Sequence, residues 1–152
     1  MLDEYLNSET VLFAEDLPGW REAIELVATP LLKSGAIKRD YVDAMTDSIA
    51  GGGTYIDLGY GIALAHARPE AGVVSTGLSA LRVTPEVLLN DEENHPIKLF
   101  VCLAAADTKS HLETLRSLGQ LLSTPEERDA LLAAANPTEF LAVLNKGVEK
   151  DD

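Results

Sequence analysis

Residues 99–106, Leu-Phe-Val-Cys-Leu-Ala-Ala-Ala, form an unbroken apolar run of eight. A strand with water on one face carries polar residues at every second position, so a strand apolar throughout is covered on both faces. The run falls well short of the roughly 20 residues a membrane helix needs. Covering both faces of a sheet takes helices on either side of it, and helical periodicity occurs both before and after the run. The expected fold is therefore α/β, a three-layer α/β/α arrangement with a mixed central sheet and flanking helices. Cys102 lies within the run and reads as an inert core thiol. It is the sole cysteine, which leaves no disulfide framework and no cysteine cluster for zinc. With 46% hydrophobic and 24% charged residues, a chain of 152 can bury one core.

The rest of the chain divides at recognisable signals. Residues 10–14 are β-type and end at Glu15, Asp16, Pro18 and Gly19. Ile24, Val27, Leu31 and Leu32 recur at helical spacing from Trp20, and Gly35 stops that helix. A second helix, capped by Asp40, sets Tyr41, Val42, Met45 and Ile49 on one side and ends at Gly51, Gly52 and Gly53. Residues 61–65 and 72–82 read as strands, the second with one face less buried. A polar turn over 90–96 leads into the apolar run. Ser110, Thr124 and Asn136 each precede a glutamate by three positions, which predicts helices from about His111, Pro125 and Pro137. Lys146 and Gly147 end the last helix, leaving 147–152 as a frayed tail. With no repeat or linker, residues 1–152 read as a single domain.

Charge narrows the partner class. The 25 Asp and Glu outnumber the 12 Lys and Arg, for a net charge of −13. Such a chain repels phosphate backbones at long range, so nucleic acid is disfavoured, and a protein with a basic docking surface fits better. The N-terminus, Met1-Leu-Asp-Glu-Tyr5, is acidic and lacks a signal-peptide pattern, so a cytoplasmic location is expected. No phosphate-binding loop, dinucleotide fingerprint or nucleophile elbow occurs.

Histidine carries the remaining chemistry. His66 follows one apolar strand, and His111 follows another and opens a helix. Ligands gather at the carboxyl ends of strands in open α/β sheets, so the two histidines share an edge if their strands run parallel. By spacing alone, His66 is equally a reactive group and a hydrogen-bonded loop residue. His111 alone reads as a first-turn helix residue, kept neutral by the helix terminus and able to donate one hydrogen bond. His95, beside Pro96, reads as an exposed turn residue. No His-x-x-x-His pair is present, and no metal site is expected.

The segment from Leu58 to Glu70 resembles the phosphorylation-site region of enzyme IIA proteins of the mannitol/fructose superfamily. These serve the bacterial phosphoenolpyruvate-dependent sugar phosphotransferase system. Leu58, Gly59, Ile62, Ala63, Leu64, His66 and Ala67 match that pattern; Ala65 stands where proline is usual, and Gly51 where an acidic or amide residue is usual. The similarity extends from Thr10 to Asn145, with His111 on a second active-site histidine. The wording around His66 and across residues 106–113 is most similar to the ascorbate-type branch. The resemblance implies that phospho-HPr phosphorylates His66 through Nε2, and that a cysteine of enzyme IIB takes the group on for uptake through membrane enzyme IIC, with L-ascorbate as the sugar. It implies that His111 and the amides after Ser110 donate to the phosphoryl oxygens, that Arg68 pairs with phosphate, and that Asp107 orients a histidine or caps a helix. Neither metal nor cofactor is implied. Two other readings stay open: a regulatory enzyme IIA-like phosphoprotein not coupled to transport, and a noncatalytic acidic binding module in which His66 is structural.

Overall fold

Along the apolar run, side chains alternate between two cores. Phe100, Cys102 and Ala104 join one cluster, while Leu99, Val101 and Leu103 join another on the opposite face. That alternation is the period-2 geometry of a strand whose two faces are both dry.

The computed structural model describes residues 2–150. A short helix α1 (Leu2–Tyr5) precedes β1 (Val11–Glu15), followed by α2 (Trp20–Ser34) and α3 (Arg39–Ala50). Next come β2 (Asp57–Gly59), β3 (Ile62–Ala65), β4 (Gly77–Leu88) and β5 (Pro96–Ala104). Helices α4 (Thr108–Ser123), α5 (Pro125–Ala133) and α6 (Pro137–Lys150) complete the described chain. The five strands form one sheet in the order β1-β4-β5-β3-β2. It is mixed: β1–β4 and β3–β5 pair parallel, β4–β5 and β2–β3 antiparallel.

Helices α2 and α3 cover one face through Trp20, Ile24, Val27, Leu31, Tyr41, Met45 and Ile49. Leu118 and Leu121 of α4, Leu131 of α5, and Phe140 and Leu144 of α6 cover the other. Burying a large apolar side chain contributes about 1.5–3 kcal/mol, so both helical layers bind the sheet strongly. Gly35 ends α2 in the left-handed conformation (φ 79°), and its N–H closes back on the helix. The expected α/β/α layering holds.

Several boundaries differ from expectation, each for a local reason. Residues 72–76 are not strand: Val74 and Ser75 N–H donate to Ala36 O, so this segment is tied to the turn after α2. Strand β4 starts at Gly77 instead, and its first five residues are buried on both faces because it lies between β1 and β5. It then runs past Pro85, which sits at the register shift between Arg82 and Val87, where no rung needs its missing N–H. Helix α3 is capped at Lys38, which places Asp40 in the first turn, where the helix dipole favours an acid. Helix α4 begins three residues early, because the Asp107 carboxylate rather than the Ser110 hydroxyl caps it. Asn136 does cap α6: its Oδ1 accepts the Glu139 N–H at 2.9 Å, and Glu139 reaches back to the Ala135 N–H at 2.7 Å. Gly147 does not stop α6, which continues through Lys150; residues 151–152 of the expected tail lie outside the described residues. Among the described residues, no helix is long and apolar enough to cross a membrane.

Candidate active site

Parallel pairing of β3 with β5 meets the condition set by the histidines. The ladder runs from Ile62–Leu99 to Ala65–Cys102, so the chain leaves both strands at the same edge. His66 is the first residue beyond β3, and Asp107 and α4 follow β5. Past the last rung the two strands diverge, and a cavity of about 350 Å³ opens in the fork. Its lining includes His66, His111, Tyr41, Glu70, Asp107 and Thr108.

His66 is half-buried, and its ring is oriented by its own backbone. Nδ1 lies 2.9 Å from Leu64 O. A carbonyl oxygen only accepts, so Nδ1 carries the proton and the neutral ring keeps its lone pair on Nε2. Tyr55 meets the imidazole edge-on, with ring centroids 6.4 Å apart. His111, the fourth residue of α4, is half-buried and lines the same cavity from the opposite side of the fork.

The start of α4 is organised by Asp107. Its Oδ1 accepts the Ser110 N–H at 2.7 Å, and its carbonyl accepts the His111 N–H at 3.1 Å. The Ser110 amide is the main cause holding the Asp107 carboxyl below the usual carboxylate range, so the cap stays ionised. The Lys109 amide also faces the Asp107 carboxylate, so the Thr108 amide, at the cavity wall, is the open first-turn donor.

The structure brings His66, His111 and Asp107 to one cavity and leaves Arg68 and Ser110 outside its lining. Arg68 is exposed, and its side chain makes no hydrogen bond or ion pair with the described residues; its carbonyl accepts the Ala71 N–H at 3.0 Å. Ser110 is displaced because the helix starts at Thr108, which turns it away from the position a cap would occupy. His95 is not an exposed turn residue: Nδ1 lies 2.7 Å from Asp57 Oδ2 and the pair is largely shielded. Cys102 is fully buried, and burial pushes its thiol up to about 12. No lysine or arginine is among the residues lining the cavity, whereas Glu70 and Asp107 are. The densest acidic stretch, at Asp91, Glu92 and Glu93, lies at the far edge of the sheet, beside the start of β5; Glu15 and Asp16 at the end of β1 share that edge.

Sequence reading did not single out Tyr41, Glu70 or Thr108 at the site. Tyr41 was visible only as one member of an apolar helix face. The available signal was its hydroxyl, since a buried phenol requires a hydrogen-bond partner. That hydroxyl donates to Leu103 O at 2.7 Å and accepts the Ala67 N–H at 3.0 Å. Burial raises the phenol well above its ordinary value, so it stays protonated.

Among the described residues, no group of three or more His, Cys, Asp or Glu side chains could hold a metal ion. Residues 4–147 match the family described as phosphoenolpyruvate-dependent sugar phosphotransferase system, EIIA 2. The mannitol-specific cryptic phosphotransferase enzyme IIA component of Escherichia coli K12 is 33% identical over 148 residues, 96% of this chain and 99% of its own length. A solution structure of the E. coli protein of that name aligns over 95% of this chain and 98% of its own, with a TM-score of 0.88 and 31% identity. The ascorbate-specific EIIA component of E. coli K12 is 25% identical over 145 residues, 95% of this chain and 94% of its own. The E. coli complex of mannitol enzyme IIA with phosphorylated enzyme IIB contains a chain that aligns at TM-score 0.77 and 25% identity, covering 93% of this chain and 97% of that one.

Proposed function

The chain belongs to the phosphoenolpyruvate-dependent sugar phosphotransferase system EIIA 2 family, and from that premise we propose that His66 is the nucleophile on which it carries the phosphoryl group. The observation that supports this most directly is the Nδ1–H bond to Leu64 O, which presents Nε2 as the free lone pair at the cavity. In the first transfer, Nε2 attacks the phosphorus of phospho-HPr. The new N–P bond forms as the donor's N–P bond breaks, and the donor imidazole keeps the electron pair. In the second, a thiolate of enzyme IIB attacks the same phosphorus, a P–S bond forms, and His66 recovers its lone pair. The Nδ1 proton stays with Leu64 throughout. His111 and the open Thr108 amide are the donors available to the phosphoryl oxygens, and Asp107 holds that helix start in place. The site of action is the cytoplasm, where membrane enzyme IIC is reached only through enzyme IIB.

Two observations bear on the sugar and pull apart. The wording around His66 and His111 favours an ascorbate-type acceptor, whereas whole-chain identity, 33% against 25%, favours a mannitol-type one. Incubation with phosphoenolpyruvate, enzyme I and HPr tests the carrier role, with intact mass reading an acid-labile phosphoryl group. Labelling is expected in the parent and absent in His66→Ala; unchanged labelling of the variant would sink the assignment. Discharge onto purified mannitol-type and ascorbate-type enzyme IIB then identifies the acceptor. Failure to discharge onto any sugar-specific enzyme IIB would favour a regulatory phosphoprotein.

A further inference from the structure

We infer that the Tyr41 hydroxyl is a positioning group for the phosphoryl acceptor: it replaces the missing rung between β3 and β5 and so holds His66 at the mouth of the fork. The inference rests on the reading of His66 as the nucleophile. The β3–β5 ladder ends at Ala65–Cys102. One residue further along β5, the Leu103 carbonyl receives the Tyr41 O–H at 2.7 Å. Two residues beyond Ala65, the Ala67 N–H donates to the same oxygen at 3.0 Å, and Ala67 O lies 3.2 Å from it. One buried oxygen thus bridges backbone groups of both diverging strands. Its position comes from a third element, since Tyr41 is the third residue of α3 and is 1% exposed.

The bridge fixes both flanks of His66. On the N-terminal side, Leu64 is held in the ladder and supplies the acceptor for Nδ1. On the C-terminal side, the next peptide is pinned by Tyr41. The loop then returns to the same helix: Gly72 O accepts the Lys38 N–H at 2.8 Å, directly before α3. With both flanks tied, the imidazole cannot swing without breaking the Nδ1 bond that selects Nε2. Tyr41 lines the cavity wall from within the core, so a docking protein need not touch it. Its contribution therefore belongs to the transfer step and not to partner affinity.

Tyr41→Phe removes only the oxygen and tests the inference. With phospho-HPr as the donor, the parent is first shown to label on His66; a parent that does not label defeats the carrier assignment itself. Given labelling, Tyr41→Phe is expected to lower kcat about 10- to 100-fold, with KM for phospho-HPr unchanged. The ¹⁵N spectrum of the His66 ring is expected to shift from a dominant Nδ1–H tautomer towards a mixture. Met45→Ala, on the same face of α3, is the control for lost stability alone. Parent-like kcat and tautomer in Tyr41→Phe would overturn the inference, as would an equal kcat loss in Met45→Ala at a matched distance below each melting temperature. Hydrogen exchange in the unmodified protein gives a reading independent of any variant. The Ala67 amide is expected to be protected well above the Arg68 amide, and equal exchange would also overturn the inference.

Discussion

Gly72→Ala reads out how tightly the loop carrying His66 is seated. Gly72 has φ 150°, in a region L side chains rarely adopt, which costs a non-glycine residue about 1–3 kcal/mol. A Cβ added there would lie 3.1 Å from Tyr41 N and 3.3 Å from Tyr41 Cβ. The first neighbour is backbone and cannot rotate away, so the loop or the start of α3 must shift. Strain and overpacking together should destabilise the protein by about 2–4 kcal/mol. At about 2–4 °C per kcal/mol for a chain of this size, the melting temperature should fall by about 4–16 °C. Gly35→Ala is the comparison, because Gly35 also has positive φ but an added Cβ would meet nothing within 4 Å. It should lose only the left-handed penalty, about 1–2 kcal/mol. Circular-dichroism melts of both variants, with matched denaturant slopes confirming two-state behaviour, decide the matter. A Gly72→Ala loss no larger than that of Gly35→Ala would refute the tight seat.

Three further outcomes follow from particular contacts. The Asp107 carboxyl is held below its ordinary value, so its support of α4 is complete above about pH 3.9 and is lost as pH falls through the lowered value. Asp107→Asn should keep the cap near neutrality and flatten that acid limb, read by exchange of the Ser110 amide across the pH series. Cys102, buried with its thiol raised to about 12, should react with iodoacetamide at pH 8 only as fast as the protein unfolds. Rapid labelling of the native protein would contradict that burial. Arg82 donates through Nη1 to Leu131 O at 2.6 Å and Ala134 O at 3.2 Å, closing the end of α5 onto the sheet. Arg82→Met should therefore cost about 1–3 kcal/mol, measured as a lower urea midpoint at constant slope.

The strongest signals in the sequence were local and periodic, and those were the ones that survived folding. The unbroken apolar run of β5, the spacing of Ile24, Val27 and Leu31 in α2, and the proline-led starts of α5 and α6 are properties of a few neighbouring residues. They were legible without knowledge of what packs against them. Boundaries failed where another group outcompeted the expected one, whether remote in sequence or only a few residues away. Ala36 draws residues 74 and 75 out of the expected strand, and Asp107 takes the cap expected of Ser110.

The site divides along the same line. The local motif singled out His66, and its position after a strand, with His111 after another, put both at strand ends. Whether those ends coincided depended on strand direction, which is a property of pairing and not of either segment. Parallel pairing of β3 with β5 placed the histidines on one cavity; it left Arg68, two residues from His66, outside the lining, and recruited Tyr41 from a helix. Net charge behaved likewise: −13 is fixed by composition, yet pairing alone put the densest acidic stretch at the sheet edge away from His66. Residue chemistry and short-range periodicity are encoded in neighbouring positions. Convergence of groups 26 and 62 residues apart on one tyrosine hydroxyl is not, because it exists only once non-local backbone segments have paired and buried that oxygen between them.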